Sequence, residues 1–167
     1  MKYFAYGSNM CTGRLQERVP SARPLFVACL AGHKLKFQKL SRKDCSAKAD
    51  AEQTGDAADG VWGVVFQLDE SEKVDLDAAE GLNRGYEEKE ITLTDGHDQA
   101  HAAVMYFASE SFKRPDLRPY SWYVRFVVEG AKQHGLPPDY IVVLEQTPST
   151  EDLDRARDME NRQIRCQ

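Results

Sequence analysis

The chain has 167 residues, which suits one domain and is short for two. Its 22 Lys and Arg residues stand against 27 Asp and Glu residues, so the formal net charge is −5. This balance argues against electrostatic binding of nucleic acid or of an anionic membrane surface. No apolar run approaches the roughly 18 residues of a membrane span, and the N-terminus lacks the apolar core of a signal peptide. We therefore expect a globular, cytoplasmic protein with neither nucleic acid nor membrane as a partner.

The first 66 residues predict mainly strands. Polar and apolar residues that alternate, or short unbroken apolar runs, indicate strands at residues 2–6, 24–40 and 61–66. A short helix over 12–18, which stops before Pro20, separates the first two strands. Residues 41–59 are small and polar, so we expect a long loop there.

The middle of the chain predicts one helix and two further strands. Asp69 and Glu72 have the spacing of a capping box at the start of this helix, and Gly81 is a suitable C-cap residue. The strands are expected at residues 86–94 and 101–108.

The last third changes to a helical period. From Tyr123 to His134, apolar residues recur at the spacing of one helix face, and Pro138 opens a further short helix. Strands first and helices last predict an α+β domain over residues 1–148, with a mixed sheet or small β-barrel and helices at one side. The charged residues 149–167 predict a solvated tail with no part in chemistry.

Cysteines and histidines give no metal or disulfide pattern. The four cysteines lack a Cys-x-x-Cys pair and regular spacing, so we expect reduced, mostly buried thiols. They are Cys11, Cys29, Cys45 and Cys166. His97 and His101 have metal-ligand spacing, but we expect a loop running into a strand there, and structural zinc needs more ligands. No metal and no cofactor are expected.

Directly after the first strand, Tyr6-Gly7-Ser8-Asn9 has turn chemistry. Successive backbone N–H groups of such a turn can point into one concavity and bind a carboxylate or an oxyanion. An ordinary surface turn is the simpler interpretation. Ser8 lacks a nucleophile elbow and Cys11 lacks a neighbouring histidine, so nucleophilic processing of an amide is a minor alternative.

Glu80 is the carboxylate best placed for general acid–base chemistry. It is expected at the negative end of a helix dipole, near Asp75 and Asp77, where a carboxylate holds its proton more tightly. A base that works near neutral pH needs this property, although an exposed surface glutamate is the alternative. Tyr86 and Tyr123 are either core residues or phenols that border a pocket.

The segment from Tyr3 to Met10, with the sequence YFAYGSNM, resembles the N-terminal signature of the gamma-glutamylcyclotransferase family, which includes AIG2-like proteins. Further blocks in the order of that family lie at residues 20–22, 33–37, 61–65, 76–81, 121–123 and 130–137. The resemblance covers about residues 2–145 and leaves the charged tail unmatched.

The resemblance implies a small mixed β-barrel with flanking helices, and an enzyme that releases 5-oxoproline from a small γ-glutamyl amide without metal or cofactor. It implies Glu80 as general acid/base, and a set of substrate-binding residues: Tyr3, Tyr6, Gly7, Ser8, Asn9, Tyr86 and Tyr123. A non-catalytic γ-glutamyl-binding module of the same fold is the alternative. We expect the segments 41–59 and 109–119 at the pocket rim, because long loops often carry binding function.

Overall fold

Seven β-strands and five α-helices form the regular structure of residues 1–166, which the computed structural model describes. The strands are β1 (Lys2–Ala5), β2 (Arg23–Ala31), β3 (His33–Leu40), β4 (Ala47–Gln53), β5 (Gly60–Gln67), β6 (Tyr86–Thr94) and β7 (Ala100–Ala108). The helices are α1 (Thr12–Gln16), α2 (Lys73–Glu80), α3 (Ser121–Gln133), α4 (Pro138–Glu145) and α5 (Arg155–Gln163). Short 3-10 turns lie at Ser8–Met10, Glu70–Glu72 and Glu110–Phe112.

β1 lies at the centre of a five-stranded mixed sheet with the order β2-β5-β1-β7-β6. It pairs antiparallel with β5 and parallel with β7. β3 and β4 form a separate antiparallel hairpin, which contacts β5 and β7. The edge strands β2 and β6 contact each other, and no hydrogen-bonded ladder joins them within residues 1–166. The expected α+β fold, with a mixed sheet and flanking helices, is confirmed.

The core lies between the sheet and α3. Phe4, Phe66 and Phe126 are fully buried there, and each such side chain stabilises the fold by roughly 1.5–3 kcal/mol. α3 can approach the turn after β1 because Gly130 has no side chain: a Cβ at that position would lie 2.5 Å from the backbone nitrogen of Cys11. The helix thereby fixes the position of the turn at residues 8–10.

The expected loop over 41–59 is wrong, because this segment contains β4. Its sequence, AKADAEQ, lacks the β-branched and aromatic residues typical of strands. Pairing with β3 decides the conformation instead. Asp50 anchors the strand by accepting hydrogen bonds from Gln38 Nε2 (2.9 Å) and from the Ala108 N–H (2.8 Å). The strand-like segment 24–40 likewise divides into β2 and β3.

The helix expected after Asp69 begins only at Lys73, and the predicted capping box is wrong. Neither Asp69 nor Glu72 caps the helix with its side chain. Glu72 instead accepts hydrogen bonds from the backbone N–H (3.0 Å) and the hydroxyl of Ser21, so its carboxylate is committed to another segment. Gly81 ends the helix in the left-handed conformation, with a φ of 76°, as expected.

The expectation of four reduced, mostly buried cysteines is wrong. Cys11 and Cys166 form a disulfide with their Cα atoms 4.7 Å apart, across a sequence separation of 155 residues. Cys29 and Cys45 are free and exposed. Sequence spacing cannot reveal a pair that the fold joins from opposite ends of the chain.

Residues 149–166 contain the exposed helix α5 and are anchored to the domain. α5 buries none of its residues, yet it contacts α3. Before it, Asp152 accepts a hydrogen bond from Trp122 Nε1 (2.8 Å) and pairs with Arg157 (2.6 Å). Within residues 1–166, no helix has the length and the apolar character that a membrane span requires.

Candidate active site

A small cavity, open to solvent, lies where the end of β1, the C-terminus of α2, the strand β4 and α3 meet. Ten residues line it: Tyr3, Tyr6, Gly7, Ser8, Asn9, Ala49, Glu80, Tyr86, Tyr106 and Tyr123. All eight candidate residues indicated by the sequence are therefore brought together. The segment 41–59 contributes Ala49, whereas 109–119 contributes nothing to the lining.

Glu80, the last residue of α2, is held in the cavity by one of its two oxygens. Tyr3 donates its hydroxyl proton to Oε1 over 2.8 Å, and Asn9 Nδ2 donates to the same oxygen over 2.5 Å. Oε2 has no hydrogen-bond donor within residues 1–166. The carboxylate is thus fixed in position while one oxygen stays available to a ligand.

Arg18 orients the amide that holds Glu80. Its Nη1 donates to Asn9 Oδ1 over 2.8 Å, so the Asn9 carbonyl faces the guanidinium and the NH₂ group faces Glu80. An amide turned the other way would set its NH₂ group against the guanidinium and its oxygen against the carboxylate, and neither pair could form a hydrogen bond, since Arg has no acceptor and a carboxylate has no donor. No sequence pattern indicates this role of Arg18.

The turn at residues 8–10 is supported from behind by Arg14. Arg14 Nε donates to Ser8 Oγ over 3.3 Å, and its guanidinium lies 4.3 Å from the centre of the Phe126 ring. Burial lowers the pKa of Arg14 to about 9, which still leaves it charged near neutral pH. The backbone N–H groups of Ser8 and Asn9 open the 3-10 turn, so neither has a partner within it.

Five tyrosines line the cavity, and four of them donate their hydroxyl protons to protein acceptors. The pairs are Tyr3 to Glu80 (2.8 Å), Tyr6 to the carbonyl of Tyr106 (2.5 Å), Tyr86 to the carbonyl of Ala49 (2.5 Å) and Tyr106 to Asp77 (2.5 Å). Burial raises the pKa of each of these phenols, and nearby carboxylates add to the effect. All four are therefore neutral at physiological pH, with their protons already directed.

Tyr123 differs from the other four tyrosines. Its hydroxyl oxygen accepts a hydrogen bond from the Ala49 N–H over 3.0 Å and interacts with the Ser8 side chain, while no protein acceptor within the described residues has hydrogen-bond geometry for its own proton. Burial raises the pKa of this phenol too, so it remains a neutral donor. The Ala49 peptide thus orients two phenols, and only Tyr123 keeps a proton for a ligand.

Cys11, Ser8 and the histidine pair were the residues that could indicate nucleophilic or metal chemistry. The Cys11 sulfur is bonded to Cys166, which contradicts the alternative of a Cys11 thiolate nucleophile. No histidine hydrogen-bonds Ser8 in this part of the chain. His101 Nε2 pairs with Asp95 over 2.7 Å, and no group of three His, Cys, Asp or Glu side chains suited to a metal ion is found among the residues described.

The chain is similar to proteins of known family. The AIG2-like family model matches residues 60–144. The gamma-glutamylcyclotransferase of Mus musculus is 34% identical over 143 residues, which are 83% of this chain and 73% of that protein. The Homo sapiens protein of the same name is 33% identical over 141 residues, with the same coverage. A solved structure named gamma-glutamyl cyclotransferase has a TM-score of 0.84 at 28% identity and covers 96% of either chain.

Proposed function

Since this chain belongs to the AIG2-like, or gamma-glutamylcyclotransferase, family, we propose that it is an enzyme that releases 5-oxoproline from a γ-glutamyl amide. The setting of Glu80 carries this proposal. Tyr3 and Asn9 fix one of its oxygens, and the other has no protein donor within residues 1–166. A carboxylate fixed in this way can accept and return a proton at one place in the cavity.

The reaction is intramolecular. The α-amine nitrogen of the γ-glutamyl group attacks its own γ-carbonyl carbon, which closes a five-membered ring, and the amide C–N bond to the leaving amine breaks. Because nucleophile and electrophile are tethered, the cavity mainly has to hold the substrate in a folded conformation. Glu80 Oε2 accepts a proton from the attacking amine and returns it to the leaving nitrogen, so no proton is gained or lost overall.

Negative charge develops on the γ-carbonyl oxygen during the attack, and fixed donors stabilise it. Tyr123 is the cavity phenol with an uncommitted proton, which suits it to this role. The backbone N–H groups of Ser8 and Asn9, which have no partner within their turn, are further candidates. The remaining phenols form walls around the γ-glutamyl group, since their protons are directed to the protein.

The test is release of 5-oxoproline from γ-glutamyl-alanine, glutathione and γ-glutamyl-ε-lysine, measured for wild type and for Glu80→Gln. We expect product from at least one compound, and turnover lower by about 10²–10⁴-fold in the variant. Glu87→Gln, at an exposed position of β6, is the matched control and is expected to keep wild-type turnover. Near-full activity of Glu80→Gln would remove Glu80 from the mechanism.

The alternative is a binding module of the same fold that holds γ-glutamyl compounds without turnover. It predicts saturable binding of these compounds in calorimetry while no 5-oxoproline accumulates. The uncommitted oxygen of Glu80 favours the enzyme over this alternative, because binding alone does not need a proton acceptor at that point.

A further inference from the structure

Lys39 differs from the other cations that contact the cavity wall. Arg14, Arg18 and Lys48 each donate to a side-chain oxygen of a neighbouring residue. Lys39, on β3, is only 6% exposed, yet its Nζ has neither a hydrogen-bond acceptor nor an ion-pair partner within residues 1–166. Its Nζ lies 4.4 Å from the centre of the Tyr86 ring instead.

The Lys39 ammonium therefore has no protein acceptor within residues 1–166, although its Nζ keeps some contact with solvent. A cation over an aromatic face gains some attraction, but an ammonium can donate three hydrogen bonds. Burial lowers the pKa of Lys39, while the negative charges of Glu80 and Asp44 oppose this effect. A carboxylate ligand would supply both the acceptor and the counter-charge that a buried cation needs.

The position of Lys39 indicates which substrate carboxylate it meets. Tyr86 lines the cavity, whereas Lys39 covers the Tyr86 ring and does not itself line the cavity. The γ-glutamyl half of the substrate, with its own α-carboxylate, is expected inside the cavity beside Glu80. A leaving half that runs from the cavity toward Lys39 would, as an amino acid or peptide, bring a second carboxylate to the ammonium.

We propose that Lys39 is a specificity-determining residue that pairs with the carboxylate of the leaving half. The inference rests on the proposed 5-oxoproline-forming activity and assigns a residue to its substrate preference. A leaving amine without a carboxylate would leave the ammonium as it is in the free protein, so it would be bound more weakly.

The experiment compares γ-glutamyl-alanine with γ-glutamylethylamide, which differ only by the carboxylate of the leaving half. Initial rates of 5-oxoproline release are measured for wild type, Lys39→Met and Lys34→Met. Methionine keeps an apolar side chain against Tyr86. Lys34→Met is the matched control, because Lys34 lies on the same strand and its side chain is exposed. We expect the KM of Lys39→Met for γ-glutamyl-alanine to rise about 10–100-fold, the value of a charged hydrogen bond.

Comparing the two substrates distinguishes a contact between Lys39 and the leaving half from other roles of this residue. The KM for γ-glutamylethylamide and both kcat values are expected to stay within about threefold of wild type in Lys39→Met. Equal losses on both substrates would overturn the proposal, because they would assign Lys39 to the γ-glutamyl α-carboxylate or to structure. Unchanged kinetics on both would overturn it as well. If wild type releases no 5-oxoproline from these two compounds, from glutathione or from γ-glutamyl-ε-lysine, the proposed function itself fails and takes this inference with it.

One measurement uses wild type alone, so it tests the proposal even if the Lys39→Met protein does not fold. Wild type is expected to have a KM for γ-glutamyl-alanine about 10–100-fold below that for γ-glutamylethylamide, and added salt is expected to narrow this gap. Equal KM values for the two substrates in wild type would overturn the proposal.

Discussion

The cavity and the C-terminal segment 149–166 are held in different ways. Around the cavity, hydrogen bonds direct the protons of four of the five phenols, and they fix one amide and one carboxylate. The C-terminal segment is held by one disulfide, one buried carboxylate, hydrogen bonds from Arg14 and Arg125, and ion pairs that are largely exposed. Exposed ion pairs contribute only about 0–1 kcal/mol each, so the disulfide, Asp152 and these hydrogen bonds are the anchors of this segment.

Because of this difference, we expect the cavity residues mainly to determine turnover and the C-terminal segment mainly to determine stability. Changes in the cavity are expected to alter turnover more than the free energy of unfolding, since they remove single hydrogen-bonding groups. Changes in the C-terminal segment are expected to alter the free energy of unfolding with little effect on turnover, since α5 contributes no residue to the cavity. A cavity substitution that altered stability more than turnover, or a C-terminal substitution that altered turnover more than stability, would contradict this distinction.

The largest effect is expected from Cys166→Ser. A bond that closes a separation of 155 residues restricts the unfolded chain, and its loss is expected to lower the free energy of unfolding by about 3–5 kcal/mol. Urea unfolding without reductant measures this loss. Turnover is expected to stay within about twofold of wild type, because Cys11 keeps its place beside the cavity turn.

Reductant provides the control for this prediction. Dithiothreitol is expected to bring wild type down to the stability of Cys166→Ser, and Cys29→Ser, at an exposed free thiol, is expected to match wild type. Disulfides are uncommon in a reducing cytoplasm, so the comparison also bears on the location expected from the sequence. A wild type that unfolds at the same urea concentration with and without reductant would contradict the bond.

Tyr123→Phe is expected to lower kcat by about 10²–10³-fold, the usual effect of losing one donor to a developing oxyanion. Tyr86→Phe is the matched control, because each substitution removes one hydrogen bond to the Ala49 peptide. Their losses of stability should therefore be similar, at about 1–3 kcal/mol. Only Tyr123 has an uncommitted proton, so equal losses of kcat in the two variants would refute its role as a donor.

Arg18→Met is expected to lower kcat/KM by about tenfold. Without the guanidinium, the Asn9 amide is free to turn and Glu80 loses a donor. With one donor gone, the Glu80 carboxylate is positioned less firmly, so the loss is expected in kcat with little change in KM. Arg18→Lys is expected to restore part of the activity. A kcat equal to that of wild type in Arg18→Met would reduce Arg18 to a structural residue.

Sequence reasoning found the candidate site more completely than its surroundings. Residues from Tyr3 to Asn9, the end of α2 and the start of α3 are contiguous blocks, and the family resemblance of these blocks indicated the candidate residues. Tyr106 and Ala49 complete the cavity wall only through strand pairing. No pattern in the neighbouring sequence indicates that Tyr106 or Ala49 lines a cavity.

The wrong predictions and the missed residues have a common cause, which is that tertiary contacts decide them. β4 is built of residues with low strand propensity, and its pairing with β3 overrides that preference. The partners of Arg18, Lys39 and Cys11 are likewise set by tertiary contacts: an amide on a neighbouring turn, a ring on another strand and a cysteine 155 positions away. Composition and periodicity contain none of this information.

The smallest effect is expected from Asp152→Asn, and it depends on pH. Hydrogen bonds from Arg157 hold the pKa of Asp152 at about 2, below the value of about 3.9 of an unfolded aspartate. A depressed pKa means that the carboxylate stabilises the fold fully above the unfolded value and that this contribution is lost as pH falls through the folded value. The variant should therefore be less stable than wild type at pH 7, with the difference shrinking between about pH 4 and pH 2. Urea midpoints at these pH values measure it, and turnover at pH 7 is expected to be unchanged. A difference that stayed constant down to pH 2 would show that the segment is held by packing of Trp122 and not by the charge of Asp152.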